Sequence, residues 1–272
     1  MDVVRAAFRA ECARLTGILT QLDDADLDRP TTCPPWAVRD LIAHVRTGAG
    51  RLAGMLAAPA PPRAEVDAAG YFGAAKFTPE IDAARIDAAR IDAARIDAAR
   101  IDAARIDAAR IDAARIDAAR SEAGSSTAEP SEAAWIAGGG WDGVPVGRST
   151  LPGEFEQSWR AADAAVAAAP PERVVRTRHG DAMRLTEFLR TRVVEVGVHG
   201  LDLAVALDRP PWLTPQAAAV IADLLTGGRP APAGLCWDRL TLIRKTTGRA
   251  ALTPAERAEI DAAGFRWLAF GR

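Results

Sequence analysis

Glu195 and His199 are the pair of residues in this sequence whose types and spacing most clearly allow chemistry. They lie in the mostly apolar segment 186–207, which is predicted to be one buried helix with Thr186 as its N-cap. In a helix, a spacing of four residues puts a carboxylate and an imidazole on one face, one turn apart. Two such side chains can bind one divalent metal ion when another helix supplies a third ligand.

The third ligand is predicted to be His44. The chain has only three histidines, and this one lies in a second amphipathic segment, predicted to be a helix over about 37–57. The sequence therefore predicts a metal held by His44, Glu195 and His199 in the core of a helical bundle. Two alternatives stay open: Glu195 could form a helix-surface ion pair with Arg192, and His199 could be a hydrogen-bonded core histidine.

Further polar residues could support such a site. Asp202 follows His199 by one helical turn and is a candidate to hold it from outside the ligand set. Arg192, Arg239 and Arg244 are candidates to bind a substrate carboxylate, because a guanidinium group pairs with carboxylates in a bidentate manner. Arg192 and Asp202 are the two that we name as candidate catalytic residues.

Composition limits the kind of protein. The chain has 272 residues, of which 49% are hydrophobic and only 6% aromatic, and it is rich in alanine, so a helical protein with a real core is expected. The net charge of −2 gives no basic face, so no nucleic-acid partner is expected. No run of 18 apolar residues is present, and charges interrupt the N-terminal segment, so neither a membrane span nor a signal peptide is expected.

The cysteines indicate the compartment. Cys12, Cys33 and Cys236 are widely spaced, odd in number and form no CxxC pair. This pattern is typical of a reducing cytoplasm and predicts no disulfide framework. Cys33 is interpreted as a small buried thiol.

Eight copies of IDAAR occupy residues 81–120. Thr78 and Pro79 form a strong helix start, so one continuous helix is predicted over 78–123, followed by a loop over 124–150. A five-residue period moves each isoleucine round the helix by about 140°, so the isoleucines form no buried stripe. The repeat helix is therefore expected to lie in solvent, either as a spacer or interaction arm or as a duplication that a surface connection tolerates.

The remaining segments predict helices over 2–23 and 151–169, an extended segment before residue 186, and helices near 214–225, in the segment WDRLTLIRKTTGR and after Thr253. This order gives two parts: a bundle over 1–207 that includes the repeat helix and its loop, and a small C-terminal region over 208–272.

The two motifs together resemble a known family. WAVRDLIAHV, followed much later by TRVVEVGVHGLDLA, resembles the mycothiol-dependent maleylpyruvate isomerase family, a branch of the DinB/YfiT-like metal-binding four-helix bundles. The resemblance implies an all-α fold, a DinB-like four-helix bundle with a small C-terminal cap, into which the repeat helix is inserted. It also implies a Zn²⁺ ion, or another divalent metal, bound by His44, Glu195 and His199. The chain departs from the family motif at Ala37, where the helix usually opens with Ser or Thr.

Two histidines and one carboxylate would leave the metal with an open position, which can hold water or a thiol. With the resemblance, this predicts a zinc- and mycothiol-dependent isomerase or S-transferase that acts on a small electrophilic acid. The alternatives are a non-enzymatic metal- or thiol-binding bundle, such as a sensor or stress protein, and a metal-dependent hydrolase. The expected partners are a small-molecule substrate and a low-molecular-weight thiol, and the oligomeric state stays open.

Overall fold

The structure is a computed structural model that describes residues 1–73, residues 150–268 and seven separate positions within the IDAAR tract. The helices are α1 (Asp2–Leu19), α2 (Asp24–Leu27), α3 (Val38–Ala57), α4 (Ala68–Gly73), α5 (Thr150–Ala168), α6 (Leu185–Ala206), α7 (Pro215–Thr226), α8 (Arg239–Thr246) and α9 (Pro254–Ala262). The strands β1 (Val174–Arg176) and β2 (Ala182–Arg184) form an antiparallel hairpin. The chain divides into two compact units, 1–93 with 152–272, and 94–151.

The long helices α1, α3, α5 and α6 form a four-helix bundle. Helix α6 packs against both α1 and α3, and most of its buried residues are apolar, the exceptions being Thr191, Arg192 and Asp202. Helix α5 is joined to α1 by an ion pair between Arg5 and Asp163, with Nε 2.6 Å from Oδ1, and by a hydrogen bond of 3.1 Å from Trp159 Nε1 to Thr16 Oγ1. The predicted fold class, an all-α DinB-like bundle, is confirmed.

Helix α6 begins one residue earlier than predicted, and Thr186 is not its N-cap. Arg184 occupies the cap position without a side-chain hydrogen bond, while Thr186 Oγ1 donates to Met1 Sδ at 3.5 Å. The start is fixed instead by the hairpin, because β2 runs directly into the helix and Leu185 N donates to Arg173 O at 2.7 Å. A backbone anchor thus replaces the capping side chain that the sequence suggested.

The N-cap of helix α3 is Ala37, which has no side-chain oxygen to accept from the first turn. Asp40, in the first turn, makes the reverse contact of a capping box: its Oδ2 accepts a hydrogen bond of 2.9 Å from Ala37 N. A carboxylate in the first turn is also favoured by the helix dipole. Asp40 therefore secures the start of the helix that carries His44.

Several short elements were not predicted. The segment after α1 was expected to be a loop but contains α2, which is capped reciprocally by Asp23 and Asp26. The segment after α3 contains α4, and the extended segment before α6 is the β1–β2 hairpin. Helix α1 ends at Leu19 rather than near residue 23. Short elements of this kind depend on tertiary contacts more than on local periodicity.

The C-terminal region packs on the bundle through α7, which contacts α1 and α6. Glu11, almost fully buried in α1, accepts hydrogen bonds from the backbone N and the hydroxyl of Thr214 at 2.9 and 2.7 Å, and so ties the start of α7 to the bundle. Beyond α7, a small second core contains Leu235, Ile260 and Phe265.

The described positions of the IDAAR tract are helical and exposed to solvent. They are Ile91, Ala94, Ala98, Arg105, Arg110, Ile111 and Arg115. The rest of the predicted repeat helix, and all but the last residue of the predicted loop over 124–150, lie outside the described residues, so both stay predictions. Within the part of the chain that the structure describes, no helix has the length and apolar character needed to span a membrane.

Candidate metal centre

His44 on α3 and the pair Glu195 and His199 on α6 converge in the bundle core. One ligand atom from each of the three residues lies within 4.8 Å of the others. His44 Nε2 is 2.5 Å from Glu195 Oε1, and His199 Nε2 is 3.9 Å from the same oxygen. The arrangement contains the two imidazoles and one carboxylate that the sequence predicted.

Glu195 is held in its charged form. Burial works against the charge, but the hydrogen bond from His44 and the positive charge of Arg192 outweigh it and hold the pKa of Glu195 well below its usual value. Because the carboxylate is already ionised, no proton has to leave it before it can bind a cation.

His199 is oriented by Asp202, one turn further along α6. Its Nδ1 lies 3.0 Å from Asp202 Oδ2, which leaves Nε2 on the side of Glu195. Burial opposes protonation of His199, but hydrogen bonds with Asp202 and Cys33 and the charges of Glu195 and Asp202 raise its pKa to about 9. Asp202 thus lies where the sequence predicted it, beside a candidate ligand histidine, in the outer position that commonly fixes the histidine ring in metal sites.

Arg249 completes this support and was not predicted. Its Nε and Nη2 donate to the two oxygens of Asp202 at 3.0 and 2.8 Å. Burial of Asp202 would raise its pKa, but the bonds from His199 and Arg249 hold the pKa well below its usual value. Arg239 is exposed at the start of α8. Among the described arginines of the C-terminal region, Arg249 reaches the site, in place of the predicted candidates Arg239 and Arg244.

The loop from Thr31 to Trp36 contacts His44 at one end and Asp202, the partner of His199, at the other. Thr32 Oγ1 and Cys33 Sγ donate to the two oxygens of Asp202 at 3.1 and 3.4 Å. At the other end of the loop, the Trp36 ring lies against His44, with ring centroids 4.7 Å apart. Cys33 is half-buried and contacts Asp202, so the interpretation of this residue as a small buried thiol was wrong about its burial.

Cys33, His199 and Asp202 also have candidate ligand atoms within 4.8 Å of one another. Both oxygens of Asp202 already accept from the guanidinium of Arg249, whose positive charge disfavours a cation at the same place. We therefore interpret this second cluster as support for His199 rather than as a second metal position.

Arg192 lies inside the protein, next to Glu195. Its Nη2 is 3.8 Å from Glu195 Oε2, and the residue is only 6% exposed. The pairing that the sequence suggested as a helix-surface ion pair thus lies in the interior. On α3, Gly48 faces both residues: a Cβ at this position would be 3.3 Å from Arg192 Nη1 and 3.4 Å from Glu195 Cγ. The missing side chain lets the two helices approach beside the site.

The comparison with known families identifies the family of this chain. The family described as mycothiol maleylpyruvate isomerase N-terminal domain matches residues 8–141 and 142–204. The chain belongs to this family. The match covers most of the chain, and the resemblance drawn from the two sequence motifs is confirmed. A comparison with curated proteins gives no match.

One solved structure, the crystal structure of the mycothiol-dependent maleylpyruvate isomerase, is similar to this chain. The two are 14% identical with a TM-score of 0.43, and the similarity covers 82% of this chain and 68% of that one. For this member of the mycothiol maleylpyruvate isomerase N-terminal domain family, the family match includes His44, Glu195, His199 and Asp202 but ends before Arg249.

Proposed function

We propose that this chain binds one divalent metal ion, zinc in the first instance, through His44, Glu195 and His199. We further propose that it uses the metal with a low-molecular-weight thiol, mycothiol, to isomerise, or to transfer sulfur to, a small electrophilic acid. The observation that carries the proposal is the convergence of the three ligand atoms within 4.8 Å in a chain of this family.

The donor set fits a metal. Two imidazole nitrogens and one carboxylate oxygen are typical zinc ligands, and three protein ligands leave room for a further group. The short contact between His44 Nε2 and Glu195 Oε1, 2.5 Å, joins two donor atoms that a cation between them would bind instead. When bound, the metal would supply a positive charge that lowers the pKa of a thiol beside it.

The protein's own residues prepare the ligand atoms. Asp202 keeps the proton of His199 on Nδ1, so that Nε2 is the nitrogen that loses its proton when a cation binds. Arg249 keeps Asp202 charged, and the Trp36 ring limits rotation of His44. Glu195 is ionised over the whole physiological range because its pKa is held low.

When bound, the thiol would supply a nucleophilic sulfur that adds to the β-carbon of an α,β-unsaturated acid, while the electron pair of the double bond moves to the conjugated carbonyl oxygen. The bond between the two carbons would then be single and could rotate, and loss of the thiolate would return the electron pair and restore the double bond with the opposite geometry. With an acid that carries a leaving group on the attacked carbon, loss of that group instead of the thiolate would give the S-transfer product.

Metal analysis of the purified protein, alongside turnover assays with maleylpyruvate in the presence and absence of mycothiol, tests the proposal. About one zinc per chain and thiol-dependent turnover are expected, and alanine at His44, Glu195 or His199 should remove the zinc. His179→Ala is the matched control, because this histidine lies in the hairpin turn outside the ligand set and should leave the zinc content unchanged.

Three outcomes would contradict parts of the proposal. Full zinc retention by each of the three single alanine variants would refute the metal site. Turnover that does not depend on thiol would indicate hydrolysis by metal-bound water. Saturable binding of metal and thiol without turnover would indicate a non-enzymatic binding protein.

A further inference from the structure

We propose that Arg192 binds the carboxylate of the substrate beside the metal, so that the site selects small acids over neutral analogues. This inference rests on the proposed function and adds to it a recognition residue and the chemical group that it recognises. It follows from the burial of Arg192, from its unused hydrogen-bond donors and from the charge of the loaded site.

The guanidinium of Arg192 is buried with most of its donors unused. Its Nε donates to Thr191 Oγ1 at 3.1 Å, and its Cζ lies 4.8 Å from the centre of the Phe188 ring. Within the described part of the chain, Nη1 and Nη2 have no hydrogen-bond acceptor, because the nearest carboxylate oxygen, Glu195 Oε2, is 3.8 Å away from Nη2. Neither nitrogen is completely shielded from solvent, so an anion that supplies the missing acceptors can reach this end of the side chain.

The residues around Arg192 leave the Nη1 and Nη2 edge of its guanidinium open to a bound anion. The Phe188 ring covers a face of the guanidinium, while Gly48 presents only a hydrogen toward Nη1, where a Cβ would lie at 3.3 Å. A planar carboxylate is the anion that matches two parallel N–H groups of a guanidinium. The contact with Glu195 places such a carboxylate next to the ligand set rather than elsewhere in the bundle.

The net charge of the metal-loaded site also favours a bound carboxylate. Arg192 balances Glu195, and Arg249 balances Asp202, so a divalent ion would leave an excess of two positive charges in a buried place. The cofactor thiolate would remove one of them. One further negative charge is then needed, and a substrate carboxylate at Arg192 supplies it.

The first test compares maleylpyruvate with its methyl ester in wild type and Arg192→Gln, at saturating mycothiol. Loss of a hydrogen bond between charged groups lowers kcat/KM for the acid by about tenfold or more. Turnover of the ester should fall by a clearly smaller factor, because the ester lacks the carboxylate that Arg192 would bind, so the preference of the enzyme for the acid should narrow. Arg192→Lys, which keeps the charge but not the bidentate geometry, should restore part of the preference.

Arg190→Gln is the matched control, because it removes the same charge two residues away on the same helix. Arg190 pairs with Asp223 at 2.7 Å, outside the site, and its loss should leave the preference unchanged. If Arg192 acts only by keeping Glu195 ionised, Arg192→Gln will reduce acid and ester turnover by the same factor. That result would overturn the proposal.

A binding measurement separates this inference from the proposed reaction. Zinc-loaded protein is titrated calorimetrically with maleate, a small cis-unsaturated diacid, with no thiol present and no turnover required. Wild type and Arg190→Gln should bind maleate, and Arg192→Gln should bind it about tenfold more weakly or worse. Weakened binding without any turnover would support Arg192 while refuting the reaction. Equal affinity in wild type and Arg192→Gln, or no binding of maleate by wild type, would overturn the role of Arg192.

Discussion

Raising the pH of the metal-free protein should lower its free energy of unfolding in a window set by His199. The pKa of this residue is 6.5 in a flexible chain and about 9 in the folded protein, where the interactions with Asp202 and Cys33 exceed the cost of burial. A group whose pKa is raised by folding binds its proton more tightly in the folded state. The stabilisation is therefore complete below pH 6.5 and is lost as the pH rises through 9.

The size of the effect follows from the difference between the two pKa values. At roughly 1.36 kcal/mol for each pH unit, protonation of His199 contributes about 3 kcal/mol at pH 6 that is absent at pH 10. The depressed pKa of Asp202 acts only at the acid end, near and below 3.8, and so does not overlap with this window. A change of this size is a large fraction of the stability of a typical domain.

Denaturant unfolding of the metal-free protein at several pH values between 6 and 10 measures the loss. Between pH 6 and 10, the free energy of unfolding of wild type should fall by about 3 kcal/mol more than that of His199→Gln. Zinc should abolish this pH dependence in wild type, because metal binding has already removed the proton from His199. Parallel pH profiles for wild type and His199→Gln would refute the reasoning, since another group would then carry the titration.

Four further changes have defined outcomes. Trp36→Leu removes the ring that packs on His44 and should weaken zinc binding by roughly tenfold. Trp36→Phe keeps a flat ring and should bind zinc as wild type does. Equal zinc affinities for the two variants would contradict this prediction. Gly48→Ala should leave the melting temperature unchanged or higher, because alanine favours helix, yet lower the zinc affinity by displacing Glu195. Replacing all three cysteines by alanine should keep thiol-dependent turnover; if the folded, zinc-loaded variant is inactive, Cys33 is the nucleophile. Deleting whole copies of IDAAR from residues 81–120 should leave melting temperature and zinc content unchanged, and a large drop would show that the tract packs against the core.

The convergence of His44, Glu195 and His199 could be predicted because it depends largely on local geometry. Glu195 and His199 meet through the four-residue spacing of any α-helix, and His44 joins them because its helix is amphipathic and packs with the same face inward. The four long helices could be predicted for the same reason, since their apolar residues recur at the helical period. Asp202 lies one turn beyond His199 and was identified by that spacing alone.

The remaining parts of the site depend on contacts that no local pattern encodes. Arg249 follows α8 in an irregular segment, 47 residues after Asp202, and no periodicity distinguishes it from Arg239 or Arg244. Cys33 lies in the loop before α3, and only the tertiary fold brings its sulfur to Asp202. A signal was available for Arg249, because a carboxylate as deeply buried as Asp202 requires a cation, but the sequence could not say which one.

The ion pair between Arg249 and Asp202 has a practical consequence for how the protein can be shortened. The family match ends at residue 204, and a fragment cut at that boundary would keep every proposed metal ligand. It would also keep Asp202, 1% exposed in the whole chain, while losing both guanidinium bonds to it. Without the guanidinium, Asp202 would bind a proton or become hydrated, and His199 would lose its fixed orientation. The shortest fragment suitable for metal titrations therefore extends past residue 249. The site depends on both the bundle and the region that follows it.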